Sequence, residues 1–324
     1  MPDALINLVE FAKGHDDPIA SGMIEQFARE SDVLSTIPFK NVTQGMNRFD
    51  RETSEPTVAF RGLNAEPEIS HGSEETLQDI CSPISGLIEF DRIKLKRYGE
   101  RKRALYMMGQ MKNGSRLWTD TFISGDNSTD PKEWDGMQRR CVADATGSVD
   151  GSNDDSRLVA NSVASGGGAL SLSNIDLIES LVNGMSHLVM SRKMKMRFKA
   201  AARDPNLTNN RITDDMDSNL GRRVTRFGDA IILCGYEVSK DSQLLPFNEV
   251  AHGGGSAVTS SVYGMSFRED GVCGIQTSEP EYVPVDTDRG VFERDLFEWD
   301  CGITIEDFYS AIRLSSITDA PIVA

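Results

Sequence analysis

The apolar positions of this chain change period several times, and each change marks an element. Within residues 1–40, two helical patterns are separated by Gly14-His15-Asp16-Asp17-Pro18. In the second, Ile24, Phe27, Ala28 and Ser31 recur at three- and four-residue spacing, one face of a short helix whose opposite face is charged. Residues 41–97 alternate with period two in two short stretches, Thr57-Val58-Ala59-Phe60 and Arg92-Ile93-Lys94-Leu95-Lys96, which predicts strands. The polar segment 64–79 between them has little to bury, so the pair reads as an extended hairpin arm. Such a two-stranded arm is marginal in water unless it lies on something else. Over residues 100–123 the period becomes helical, with Leu105, Met108, Met111, Trp118 and Phe122 on one broad face and Gly125 as the stop.

Loops rich in Asp, Asn, Ser and Gly follow, at 125–131 and 147–155. Ser173 and Asp176 have capping-box spacing, which predicts a helix starting at Ser173, with Leu172 and Leu177 as its hydrophobic staple. His187-Leu188-Val189-Met190 reads as a short buried strand, and 192–202 as a helix stopped by Asp204-Pro205. The last third is strand-rich. Segments 223–227 and 230–235 flank a Gly228-Asp229 turn, and further strands are expected at 261–267, 282–285 and 297–305. Residues 305–314 fit helix or strand equally. Without regular β-α alternation, the class is α+β.

Composition narrows the function. A chain of 324 residues with 39% hydrophobic side chains folds, and allows two packed units or one elaborated domain. Its formal net charge of −16 argues against a dedicated DNA binder. The longest strongly apolar run, residues 230–234, is far short of the ~18 needed to cross a bilayer, and no secretory pattern opens the chain. Five scattered cysteines without a Cys-x-x-Cys pair predict neither a zinc site nor a disulfide scaffold.

Charge is unevenly spread. Residues 92–103 hold Arg92, Lys94, Lys96, Arg97, Arg101, Lys102 and Arg103 against a single acid, Glu100. Residues 192–203 hold Arg192, Lys193, Lys195, Arg197, Lys199 and Arg203 and no acid. On a monomer these are solvated faces; in an oligomer, blocks of opposite sign complement one another across subunit contacts. The expected acidic complement is segment 278–300, with Glu279, Glu281, Asp286, Asp288, Glu293, Asp295, Glu298 and Asp300.

The catalytic inventory is thin. His252-Gly253-Gly254-Gly255 matches an oxyanion loop of some lipases and esterases, which makes a hydrolase the rival expectation. That chemistry also needs a Gly-x-Ser-x-Gly elbow, and the nearest approach, Gly184-Met185-Ser186-His187-Leu188, lacks the second Gly. Gly166-Gly167-Gly168 fits no nucleotide fingerprint, and no P-loop occurs. Asp215-x-Asp217-x-Asn219 begins like a calcium loop but has Leu220 and Arg226 at the obligatory Gly and Glu positions; Asp126-x-Ser128-x-Asp130 fails at Pro131 and Met137. His187 reads as a hydrogen-bonded core residue. No catalytic, cofactor or metal residue is assigned.

The order of parts resembles the Hong Kong 97-type major capsid proteins of tailed bacteriophages: N-terminal helical arm, strand-loop-strand arm, long helix, central α/β region, C-terminal strands. Trp118-x-Asp120-x-Phe122-Ile123-x-Gly125-Asp126 with Asp130-Pro131-x-Glu133-Trp134-Asp135-Gly136 resembles the end of that family's spine helix and the following loop. His187-Leu188-Val189-Met190-Ser191-Arg192 resembles its strand-to-helix passage; Tyr263, Asp270-Gly271-Val272-x-Gly274 and Phe297-Glu298-Trp299-x-Cys301-Gly302 resemble its late strands.

The resemblance implies an N-arm at 1–40 and an extended β-hairpin loop at 41–97. It further implies a peripheral domain split between 98–140, with the spine helix, and 275–324, and an axial domain at 141–274. It also implies a non-enzymatic subunit, made in the host cytoplasm, that assembles into hexamers and pentamers of a virion shell around double-stranded DNA. Portal and scaffolding or decoration proteins would be its partners, with no membrane and no cofactor. Another head or tail subunit is the alternative within the same class. No long scaffold-like segment precedes the arm, so a separate scaffold or a processed start is expected.

Overall fold

The computed structural model describes residues 6–9, 27–98, 100–152, 156–204, 211–217, 222–236, 243–285 and 292–323. Its first half contains β1 (Ile6–Asn7), α1 (Asp32–Thr36), β2 (Pro38–Asn41), β3 (Met46–Ser54), β4 (Ser73–Ile80), β5 (Ser82–Asp91), α2 (Arg92–Tyr98), α3 (Glu100–Ser124) and α4 (Met137–Arg140). The central region adds β6 (Leu158–Ala160), α5 (Leu172–Leu181), β7 (His187–Val189), α6 (Arg192–Ala201), β8 (Ile212–Asp217), β9 (Arg222–Phe227) and β10 (Ala230–Leu233). The chain closes with β11 (Glu249–Val250), β12 (Ala257–Met265), β13 (Val272–Gln276), β14 (Glu281–Val285), β15 (Phe292–Ile305) and β16 (Ala311–Thr318).

The long helix α3 is the frame. Its 25 residues span about 37 Å. Its apolar face is fully covered only in the C-terminal part: Met111, Trp118, Phe122 and Ile123 are buried, whereas Leu105, Tyr106 and Met108 are exposed. The expected single apolar face is therefore half core and half surface. Gly125 ends the helix, its N–H bonded to the Thr121 carbonyl at 2.9 Å. A Cβ there would lie 2.4 Å from the Trp134 carbonyl oxygen, so glycine is what lets the next loop fold back onto the helix end.

Aromatic rings join α3 to three other parts of the chain. Phe27 meets Trp299 edge-on at 5.2 Å, Phe39 lies 5.8 Å from Trp118 and 5.5 Å from Trp299, and Trp118 stacks on Phe122 at 5.3 Å. Phe297 touches Phe27 and Tyr282 at 5.7 and 5.3 Å. Aromatic pairs at such separations add about 0.5–1.5 kcal/mol each beyond area burial.

The strands behind this cluster form a six-stranded sheet of order β1-β2-β13-β15-β14, in which β5 also pairs with β15. One edge of the 14-residue β15 is shared in series, residues 292–301 by β5 and 301–305 by β13.

The second sheet has eight strands, β6-β16-β12-β7-β10-β9-β8 with β11 on β12, and its central strands alternate between two faces. Val189, Leu233, Tyr263, Met265 and Ala311 join the aromatic cluster. Leu188, Met190, Ile232, Val262, Ile312 and Leu314 point the other way, onto Ile175 and Ile178 of α5 and Met194 and Phe198 of α6. A period of two is what puts both sets on their own sides. Ser316, with φ 63, marks an irregularity in β16 that returns Ile317 to the helix-covered face.

Several expectations need correcting. Thr57–Phe60 is not a strand: the arm's strands are β3 and β4, and 55–72 is their irregular tip, bounded by Pro56 and Pro67. Residues 92–98 are helical, started by the Asp91 carboxylate, which accepts from the Ile93 N–H at 2.7 Å; Ile93 is exposed, so no sheet rewards an extended form. The helix expected from Ser173 begins at Leu172 with Ser171 at its N-cap. Residues 305–314 form a 3₁₀ turn, Phe308–Ser310, and then β16. β13 runs across positions 274 and 275 and pairs with β2 and β15, while β16 lies in the eight-stranded sheet. The calcium-like stretch 215–220 falls partly outside the described residues.

Replacing Trp299, 1% exposed at the centre of the aromatic cluster, tests its weight. Trp299→Ala is expected to cost about 3–5 kcal/mol in denaturant unfolding, the range for a truncated core aromatic. A loss under 1 kcal/mol would contradict a structure organised by this cluster.

Candidate assembly surfaces

Among the described residues, the arm is held to the body at its root. In β3, Asn47 Nδ2 donates to Thr304 Oγ1 at 3.1 Å and to Glu306 Oε1 at 2.9 Å. Arg51 donates from Nη2 to the Ile305 carbonyl at 2.6 Å and from Nε to the Glu306 carbonyl at 3.2 Å. Lys40 Nζ meets the same Glu306 oxygen at 2.9 Å. Burial alone would lower the Lys40 pKa; the hydrogen bond and charge of Glu306 outweigh it and leave it raised. Burial also lowers Arg51, partly offset by the Asp79 carboxylate. From β4, Asp79 pairs with Arg140 of α4 at 2.8 Å, both largely buried, and Arg140 Nε donates to the Asp135 carbonyl at 2.7 Å. Gln44 and Gly45, at φ 63 and 68, form the turn that launches β3. A cleft of about 420 Å³ opens beside this root, lined by Asp79, Cys81, Lys132, Trp134 and Arg140 among others.

Beyond Arg51 the arm loses these supports. Its pairing runs out to Ser54 and Ser73, and Val58, Phe60, Leu63 and Ile69 of the tip are exposed, Val58 at 94% and Ile69 at 87%. An exposed apolar cluster rimmed by polar residues is the signature of an interaction site.

The second surface is the helical corner where β5 ends. Here the structure divides the basic block. Arg103 is bound in its own chain: Nε donates to Asp295 Oδ2 at 2.8 Å and Nη2 to Oδ1 at 2.6 Å, with Glu293 3.6 Å away. Arg92 lies 3.4 Å from Glu293. Lys102 sits 4.1 Å over the Tyr98 ring. Lys94, Lys96 and Arg97 point outward on α2, exposed beside Ile93 and Tyr98. Arg101 lies in α3, and its side chain falls outside the described residues.

Of the acidic residues, Glu279 is half-buried and Glu281 exposed; Asp286 and Asp288 lie outside the described residues. Glu281 faces Glu298 directly across β14–β15, a like-charge pair that weakens this ladder, while Pro284 in β14 discourages further edge pairing. In the second block, Arg197 pairs with Asp319 at 3.1 Å and Lys199 lies 3.9 Å from Asp214.

Sequence reasoning missed Asp79, Arg140 and Glu306. Their partners are 61 and about 260 positions away, which no local pattern reveals.

The hydrolase loop is used structurally. The peptide N–H of His252 donates to Ser316 Oγ at 2.9 Å, and the Gly254 carbonyl accepts from Gly166 N–H at 2.8 Å. A Cβ at Gly253 would lie 2.2 Å from the Val163 carbonyl oxygen, so its glycines serve this loop-on-loop contact. Among the described residues the His252 imidazole has no hydrogen-bonded serine, cysteine or acid. The five cysteines are buried, and burial pushes the Cys81, Cys141 and Cys273 thiols up to about 12. That is opposite to the activation of a nucleophile. Asp126 is held below the usual carboxylate range by hydrogen bonds from Ser128 and Thr129, which close its turn. His187 is buried, bonded through Nδ1 to Ser186 Oγ at 2.7 Å.

No protein-family model and no curated protein sequence matches the chain. Solved structures do. The holo-SrpI encapsulin complex of Synechococcus elongatus PCC 7942 superposes with a TM-score of 0.61 at 10% identity, over 90% of this chain and 89% of that one. The capsid of a native GTA particle gives 0.59 at 13%, over 90% and 91%. A chain of Mycobacterium phage Adephagia gives 0.54 at 11%, over 89% and 90%. With nearly full coverage of both partners, the fold is that of the Hong Kong 97-type capsid proteins.

Hydrogen exchange tests the root. Arg140→Ala removes the tie on β4, and the amides of 46–51 and 77–80 are expected to exchange about tenfold faster or more, while those of β12 and β16 are unchanged. Uniform acceleration would mean that Arg140 supports the whole fold rather than the arm.

Proposed function

We propose that this chain is the major subunit of an icosahedral shell of the tailed-phage capsid type. It is a structural protein of the virion whose copies form pentamers and hexamers around double-stranded DNA. Portal and scaffolding or decoration proteins are its expected partners, and it carries out no catalysis. The observation that carries this is the arm: Val58, Phe60, Leu63 and Ile69 project on a two-stranded stalk that, among the described residues, is secured at its root. A lone hairpin of this kind is marginal in water, so its tip gains stability from a surface that other copies supply. Many weak contacts then add up through multivalency.

Electron microscopy and light scattering of the expressed protein test this directly. Closed shells are expected, alone or with scaffold supplied; small monodisperse species under every condition would refute it. Trypsin adds a local readout at the exposed Arg61 in the tip. Cleavage after Arg61 is expected to slow at least about tenfold on assembly, because the arm becomes covered. In purified particles this chain must dominate the protein mass, which separates a shell subunit from a head-completion or tail subunit.

A further inference from the structure

The second basic block lies on α6, away from the arm and its root. Residues 192–203 hold six Lys and Arg and no acid; the first acid is Asp204. Met194, Phe198 and Ala201 bury one side of the helix against the eight-stranded sheet. The other side turns outward, with Met196 71% exposed and Lys193, Lys199 and Arg203 exposed around it. Lys195 and Lys199 stand four positions apart on one ridge, and Arg203 continues it in the closing turn, where its N–H bonds to the Ala200 carbonyl at 3.2 Å. Four positions rise about 6 Å, so the ridge carries three cations over about 12 Å. Like charges at this spacing repel and weaken a helix. Acids of the same chain relieve little of that repulsion. Arg197 meets Asp319 at 3.1 Å and Lys199 lies 3.9 Å from Asp214, and both pairs are exposed and screened by solvent. Asp176 and Glu179 of α5, on the same side of the sheet, are taken by Arg211 at 2.6 and 3.3 Å.

We infer that this face of α6 lines the interior of the shell and holds the sugar-phosphate backbone of the enclosed duplex DNA, without regard to sequence. This rests on the shell function above and names the surface that meets the nucleic acid. Charge complementarity selects the occupant: a regular row of cations faces a polymer that carries a phosphate every 3.4 Å or so of axis along each strand, roughly one charge per 1.7 Å of duplex. A second copy of the chain is a poorer occupant. Protein interfaces are depleted of Lys, and this face offers only Met196 and Ala200 among its cations. Lysines meet phosphates as mobile point charges, which suits backbone contact and carries no base readout. A few such contacts on a chain of net charge −16 make the grip weak and strongly salt-dependent.

A salt series tests it. Titrating the full chain with a random-sequence DNA duplex gives the slope of log affinity against log salt, to which each phosphate contact adds about 0.9. Lys195→Gln, Lys199→Gln and Arg203→Gln together are expected to flatten that slope by about two to three and to weaken binding at low salt at least tenfold. An unchanged slope would overturn the inference. The matching change on the first block, Lys94→Gln, Lys96→Gln and Arg97→Gln, is expected to leave the slope as it was; an equal loss from both variants would reduce the effect to net charge and overturn the inference too. Lys195→Arg with Lys199→Arg keeps the charge and is expected to keep the slope, and a loss there would trace the effect to folding instead. Polyglutamate that binds as tightly as the duplex would assign the face to an acidic protein. In assembled shells the native cysteines are buried, and Met196→Cys is expected to escape a bulky maleimide-polyethylene glycol until the particle is opened. Labelling of intact shells would put α6 outside and overturn the lumenal placement. A wild-type chain that never forms shells would refute the shell function itself, whatever the duplex titration shows.

Discussion

Everything in this molecule is positioned by the packing of Trp118 and Trp299 against Phe27, Phe39 and Phe297. These five rings come from the N-terminal segment, β2, the long helix and β15, which are up to about 270 positions apart in sequence. Neither β2 nor α3 has a broad partner of its own: β2 is four residues long, and Leu105, Tyr106 and Met108 leave much of the N-terminal half of α3 exposed. The cluster converts them into one body, and Gly274 makes room for it, since a Cβ there would lie 2.4 Å from the Phe39 ring. With a chain average of only 7% aromatic, concentrating rings at one place is how a sparse supply organises a fold of this size.

The same body sets the geometry of both surfaces. β15 packs its Phe297 and Trp299 into the cluster and so fixes its own two ends, which carry the arm root and the helical corner. The arm is accordingly rigid where Arg51, Asn47 and Asp79 tie it and unsupported beyond. Strong contacts confined to the root and apolar side chains left at the tip are opposite investments, stability in one and availability in the other. A shell subunit of the proposed kind needs both, because an arm that satisfied itself would have nothing to offer a neighbour.

Much of the body was legible in the sequence because burial imposes period. His187–Val189, the hairpin around Gly228-Asp229 and the buried half of α3 all announce themselves by where apolar residues fall. The arm strands did not. β4, Ser73–Ile80, is polar on both faces because neither face is buried in the chain, so no alternation exists to read. The same reason hid α2: Ile93 and Leu95 alternate with lysines as they would in a strand, but no sheet covers them, and the Asp91 cap decides for helix. These two misreadings thus fall on elements that little of the chain covers, where no selective burial writes a pattern.

The basic block shows how far charge counting alone carries. Counted together, residues 92–103 look like one positive face, but Arg103 is folded inward onto an Asp295 that is 3% exposed. Such an arginine is committed to the body, because removing either partner leaves a buried charge uncompensated. Exposed ion pairs, by contrast, are worth about 0–1 kcal/mol each and weaken with salt. Lys94, Lys96 and Arg97 are exposed on α2 and are not anchored on a buried carboxylate as Arg103 is. Depth of burial therefore separates the committed Arg103 from the solvated charges that precede it in the same run.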